Sequence, residues 1–196
     1  MHHFFAYLSR LKLIRRWSLM RNTQPENDAE HSLQAAMIAH ALALMARDRY
    51  GRAVNPEHVL ALAVYHDATE VLTGDLPTPV KYHSEGLRAA YGQVEQLASE
   101  RLLGMLPEPM RPAYAPYLAP EGDAEARALV KAADKLCAYV KCLEEQRAGN
   151  HEFDAACDNI RRSLEQNPLP EVRDFLREFV PSFTLTLDEL NGGGAV

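Results

Sequence analysis

A chain of 196 residues, 47% hydrophobic and 24% charged, has the composition and length of one globular domain with a substantial core. Its formal net charge of -6 makes a nucleic-acid polymer a poor partner. No apolar run approaches the ~18 residues of a membrane span, and the N-terminus does not read as a signal peptide.

Cys137, Cys142 and Cys157 form neither an even set nor a CxxC pair, which argues against a disulfide framework and suits a reducing cytoplasm. They read as small apolar fillers. The first 25 residues carry Arg10, Lys12, Arg15, Arg16 and Arg21 and no acid. That is either a solvated basic face or a local attraction for a small anion.

A helix is expected over 3–14, then one over 29–48. The second has one stripe of Leu33, Met37, Leu44 and Met45, and another of His31, Ala35, Ile38 and Leu42. Asn55-Pro56 caps a helix over 56–72 whose 60–66 run is apolar all round. Another follows over 84–106, after which Pro107, Pro109, Pro112, Pro116 and Pro120 break the chain into short pieces. The helix over 124–148 carries Leu129, Ala133, Leu136, Val140 and Leu143, and Gly149-Asn150 stops it. Helices over 151–165 and 170–179 complete the set. Ser182–Leu187 is the one short alternating stretch, and residues 191–196 form a flexible tail. The fold class is therefore all-α, a single-domain helical bundle over residues 1–190.

The informative residues are ionisable groups inside the most apolar helices. His31 lies on the first, His66 and Asp67 end the apolar run of the second, and Asp134 sits in the third. A buried carboxylate is costly unless paired, hydrogen-bonded or metal-bound. Sharing one divalent cation offsets the cost of all four groups. Mixed imidazole and carboxylate ligation suits manganese, iron, cobalt or zinc. Taken singly, each residue has an ordinary alternative: a satisfied core histidine, Asp67 bonded to backbone, or Asp134 paired with Lys131, Lys135 or Lys141.

The order His31 … His66-Asp67 … Asp134 resembles the signature of the HD-domain superfamily, metal-dependent phosphohydrolases with an all-helical core. The flanking residues narrow this. Glu30–Gln34, the run Tyr65–Lys81 with its Glu-Val-Leu-Thr-Gly-Asp-Leu-Pro-Thr-Pro-Val-Lys, Ala133-Asp134 followed by Cys137-Ala138-Tyr139, and the N-terminal Phe4–Trp17 and Met20–Asn22 segments all resemble bacterial 5'-deoxynucleotidases. The resemblance covers nearly the whole chain and shows no departure at a ligand position.

It implies an HD-type bundle in which His31, His66, Asp67 and Asp134 bind one divalent metal. Cobalt or manganese is expected, with zinc, iron, copper or magnesium as further candidates. It also implies a cytoplasmic homodimer that hydrolyses deoxyribonucleoside 5'-monophosphates to deoxyribonucleosides and phosphate, with a metal-activated water as nucleophile. Glu70, three residues after Asp67, is expected to orient or deprotonate that water. Asp75 is expected to donate a proton to the leaving oxygen or bind the sugar 3'-hydroxyl, and Asp75, Leu76, Pro77 and Thr78 to line the nucleotide site. Arg16 is expected to hold the phosphate through its planar fork, and Trp17 to exclude a 2'-hydroxyl. His31, Asp67 and Asp134 also face the substrate in this reading.

His40 falls half a turn from His31 and outside the site, and His2, His3, His58, His83 and His151 are expected to face solvent. Three competing readings remain: another HD phosphohydrolase acting on a triphosphate, cyclic nucleotide or alarmone, a non-catalytic nucleotide sensor, and a purely structural bundle that binds no metal.

Overall fold

The computed structural model describes residues 1–81, 83–119 and 122–192, while the side chain of Thr78, Pro120 and tail residues 193–196 lie outside the described residues. The helices are α1 (Phe4–Leu8), α2 (Asp28–Tyr50), α3 (Pro56–Tyr65), α4 (Glu70–Thr73), α5 (Thr78–Lys81), α6 (Glu85–Gly104), α7 (Arg111–Leu118), α8 (Ala124–Arg147), α9 (Asp154–Glu165), α10 (Pro170–Glu178) and α11 (Leu187–Leu190). Among the described residues there is no strand, only an isolated antiparallel bridge between Arg15 and Asn27.

Local chemistry sets the ends of the central helices. Asn27 caps α2 by accepting from the Ala29 and Glu30 amides, and Glu30 closes the capping box. Gly51, at φ 65°, stops the same helix in the left-handed conformation that favours glycine. Asn55 with Pro56 starts α3, and Asp123 caps α8.

Helix α2 packs against both α3 and α8. Ala35, Ala39, Ala43, Ala63 and Ala133 are fully buried between them and let the backbones approach closely. Leu42, Leu129 and Leu136 fill the remaining space, each worth ~1.5–3 kcal/mol on removal from water. All three cysteines are buried thiols. A second cluster of Phe4, Ala68, Leu102, Leu106 and Leu118 joins α1, α6 and α7 beside the residues that follow α3.

Several expectations are corrected. The helix over 3–14 is two pieces, α1 and a 3₁₀ turn at Leu11–Leu13. The helix over 56–72 stops at Tyr65, and residues 66–69 form a turn. There the His66 ring, through Nδ1, lies 2.7 Å from the Ala63 carbonyl, the acceptor that an α-helix would need next. The amides of Ala68 and Glu70 then bond three residues back, to Tyr65 and Asp67. Pro112 starts α7 and Pro116 lies within it, so the proline-rich segment is more helical than expected. Ser182–Leu187 belongs to the 3₁₀ turn Val180–Thr184 and the start of α11, which Thr186 and Glu189 cap. On α2 the His31 stripe is buried, whereas the other stripe is split: Leu33 and Met37 are exposed, Leu44 is half-buried and Met45 is buried in the core. Val64 is likewise exposed, and the 60–66 run is not apolar on every side in its surroundings. His58 is half-buried against the Tyr117 ring, unlike exposed His2, His3, His83 and His151.

Candidate metal centre

The first turn of α2, the turn after α3 and the middle of α8 meet at one point. His31, His66 and Asp134 bring one ligand atom each to within 4.8 Å of one another. His31 Nε2 lies 3.1 Å from Asp134 Oδ1, and His66 Nε2 lies 3.1 Å from Asp67 Oδ2. Asp67 Oδ2 is also 3.7 Å from His31 Nε2. The four residues that sequence order alone could not unite are thus neighbours.

Two features fit a divalent cation. His66 Nδ1 faces a carbonyl, which can only accept, so that nitrogen carries the proton and Nε2 presents its lone pair. Neither His31 Nε2 nor His66 Nε2 has a hydrogen-bond partner although both are buried. Their 3.1 Å approaches to carboxylates lack hydrogen-bond geometry, leaving two imidazole nitrogens and two carboxylates aimed at a common space. Asp134 keeps 40% of its side chain accessible, so the group is reachable from solvent on that side.

The electrostatics agree. Burial opposes charge on His31, yet Asp134 and Glu26 overcome it and raise its pKa to about 9. Burial works the other way on Asp67, but His66, Arg16 and His31 hold its carboxyl well below the usual range. Asp134 is lowered against its burial by His31 and His66. Arg16 is the cation already present: Nη1 donates to Asp67 Oδ2 at 3.1 Å and lies 3.8 Å from Asp28, while Nη2 lies 3.8 Å from Asp134. Burial counts against the Arg16 charge, and Asp67, Asp134, Glu26 and Asp75 more than offset it. Acids outnumber fixed cations here, which leaves a deficit of positive charge.

Glu70 follows the ligand turn as the first residue of α4. Burial, then Asp67, Asp28 and Asp75, push its carboxyl far upward, so at neutral pH it carries a proton when no cation is bound. The expectation of one continuous helix face through His66, Asp67 and Glu70 is replaced by a turn, which keeps them close by another route. Asp75 follows Gly74, at φ 72°, and burial raises it while Arg16 lowers it. Leu76 and Pro77 are half-buried in the loop leading to α5.

Trp17 adopts φ 56°, a left-handed backbone unusual for a bulky residue. Its indole N–H donates to Glu26 Oε2 at 3.0 Å, and its ring packs on Phe153 at 5.3 Å between centroids. Glu26 Oε1 lies 3.8 Å from His31 Nδ1, so one carboxylate joins Trp17 to the candidate centre. Sequence reasoning missed Glu26 and Asp28, because acids at the start of a helix suit its positive end and carry no mark of a tertiary role. Of the lysines offered as partners for Asp134, Lys135 bonds Ser163 and Lys141 bonds Glu145 instead.

This all-helical bundle, with its His, His-Asp and Asp group, shares the fold of solved HD-domain phosphohydrolases. A solved HD-domain phosphohydrolase from Listeria innocua superposes with a TM-score of 0.81 at 24% identity, covering 96% of this chain and 92% of that one. The cyanophage S-2L HD phosphohydrolase bound to dA and one catalytic Zn2+ ion matches with a TM-score of 0.59 at 22% identity, covering 91% and 95%. The family profile described as 5'-deoxynucleotidase YfbR-like matches residues 3–183. A 5'-deoxynucleotidase of Erwinia tasmaniensis is 54% identical over 190 residues, 96% of either chain. The chain belongs to the YfbR-like 5'-deoxynucleotidase family.

Proposed function

We propose that the protein hydrolyses deoxyribonucleoside 5'-monophosphates, using one divalent ion held by His31, His66, Asp67 and Asp134. The observation that carries this is the pair of buried, unpartnered imidazole Nε2 atoms facing the carboxylates of Asp67 and Asp134. When bound, such an ion lowers the pKa of water and polarises a phosphate oxygen. Cobalt and manganese are the first candidates, followed by zinc, iron, copper and magnesium.

Arg16 supplies fixed positive charge for the phosphate next to the ligand group. Glu70 and Asp75 are the candidates for proton transfer; the proton held by Glu70 suits either donation or hydrogen-bonded orientation of water. Asp75, Leu76 and Pro77, together with His31, Asp67 and Asp134, face the substrate. Trp17 bars a 2'-hydroxyl by filling the space that the hydroxyl needs. Residues 1–190 form the catalytic domain. No helix among the described residues is long and apolar enough to cross a membrane. The protein works in the cytoplasm as a homodimer.

The test is phosphate release from dAMP and AMP after chelation, with single metals restored. Restored turnover of dAMP with little from AMP is the expected result. Equal turnover of both removes the deoxyribose claim, and no turnover with any metal removes the phosphohydrolase reading.

A further inference from the structure

The segment between Arg15 and Asn27 is a loop with a narrow neck. The Arg16 amide donates to the Glu26 carbonyl and the Asp28 amide to the Ile14 carbonyl. Between these ties the chain makes an excursion that begins with Trp17 in its left-handed conformation. Such a backbone costs ~1–3 kcal/mol and persists only where its surroundings dictate it.

The far side of the excursion is held by one buried acid. Glu145, 1% exposed, accepts from the Thr23 amide at 2.9 Å, the Thr23 hydroxyl at 2.6 Å, the Gln24 amide at 3.2 Å and Asn150 Nδ2 at 2.8 Å. Lys141, one turn back on α8, pairs with Glu145 and also donates to the Gln24 carbonyl at 2.5 Å. Asn150 Nδ2 reaches the Arg21 carbonyl at 2.7 Å, and the Arg21 amide donates to Glu152 at 3.1 Å. Lys141 Nζ also stands 5.7 Å from the centre of the Phe153 ring on which Trp17 packs. Glu145 follows Asp134 by eleven residues, about three helical turns, so both project from one face of α8. One rigid helix thus carries a candidate metal ligand near its middle and the loop anchor near its end.

We propose that Glu145, with Lys141 as its counterion, is a positioning residue for sugar selectivity: it fixes the 17–24 loop at a set distance from Asp134 and so holds Trp17 against the sugar. This rests on the reading of Trp17 as the group that excludes the 2'-hydroxyl. Glu145 touches neither substrate nor metal. Its anchor is separate from the neck that fixes Arg16, so loosening it moves Trp17 more than Arg16.

The experiment compares wild type with Glu145→Gln and Thr23→Val, the second removing a single hydroxyl from an exposed loop residue. Trp17 is the only tryptophan, so its emission reports loop position independently of activity. Glu145→Gln is expected to red-shift that emission and lower the dAMP to AMP ratio of kcat/KM about ten-fold, mainly through a lower KM for AMP, with metal stoichiometry intact. Thr23→Val moves both readouts the same way, by about three-fold in the ratio, and decides the matter if Glu145→Gln does not fold. Unchanged emission and ratio in a folded variant overturn the proposal, as does a red shift with an unchanged ratio in an enzyme that prefers dAMP. If wild type shows no sugar preference, the reading of Trp17 has failed; emission then decides whether Glu145 anchors the loop, and selectivity is withdrawn.

Discussion

Arg16 Nη1 and Asp67 Oδ2 are joined at 3.1 Å across 51 residues of chain. The contact ties the loop before α2 to the turn after α3, and it places a permanent cation beside the ligand group. Asp67 is shared, since the same oxygen lies 3.1 Å from His66 Nε2. Arg16→Ala is therefore expected to keep its metal, because Asp67 retains a histidine neighbour. It should lose at least ~10²–10³-fold in kcat, the scale seen when one preorganised donor to developing negative charge is removed. Metal analysis alongside phosphate release checks this, and loss of metal in the variant would assign Arg16 to assembly of the site instead.

Asp67→Ala and Asp134→Ala are expected to lose metal and turnover together. Each deletes one of four groups around a common space, and each leaves a buried histidine nitrogen without its neighbour. Calorimetric titration with cobalt or manganese reads the first effect directly. A variant that binds metal with wild-type affinity and turns over normally removes that residue from the ligand set.

The parts of this architecture that periodicity governs were legible in advance. The stripe His31, Ala35, Ile38 and Leu42 is buried along α2, and Leu129, Ala133 and Leu136 are buried along α8, because burial of helix faces follows a 3.6-residue repeat. What was hidden depends on contacts distant in sequence. Glu26 lies just before α2 and Asp28 begins it, and nothing in the local sequence marks either for the site into which tertiary packing folds them. Nothing in the sequence singles out Glu145, which the return of residues 23 and 24 onto α8 covers and bonds. The end of α3 was missed for a local reason: the His66 side chain takes the Ala63 carbonyl, a side-chain choice that backbone propensity does not encode.

Glu70 makes the stability of the metal-free protein depend on pH. Its folded pKa lies far above the ordinary 4.5, so above that pH the folded state holds a proton that the unfolded state has released. Stability accordingly falls as pH rises from about 5 upward. His31, raised to about 9 from 6.5, adds to the same decline once pH passes about 7. Glu70→Gln should flatten the earlier part of the fall, since an amide has no proton to lose. Thermal melts in chelator from pH 5 to 9 test this; parallel profiles for the two proteins would mean that Glu70 titrates normally.

Trp17→Ala isolates sugar recognition from chemistry. The indole contributes no ligand atom to the metal group; its side-chain link to the centre runs through Glu26, while its ring packs on Phe153. Truncation should leave metal binding intact and preserve most turnover of dAMP. The space that the ring vacates should admit the 2'-hydroxyl, raising kcat/KM for AMP and narrowing the deoxyribose preference about ten-fold or more. Some loss of stability, ~3 kcal/mol or less for a half-buried ring, is expected from the packing against Phe153 alone. The ratio of kcat/KM for the two substrates, measured well below the melting temperature, separates these effects. A ratio equal to wild type would move the discrimination away from Trp17, to the residues around Asp75 that face the sugar in this reading.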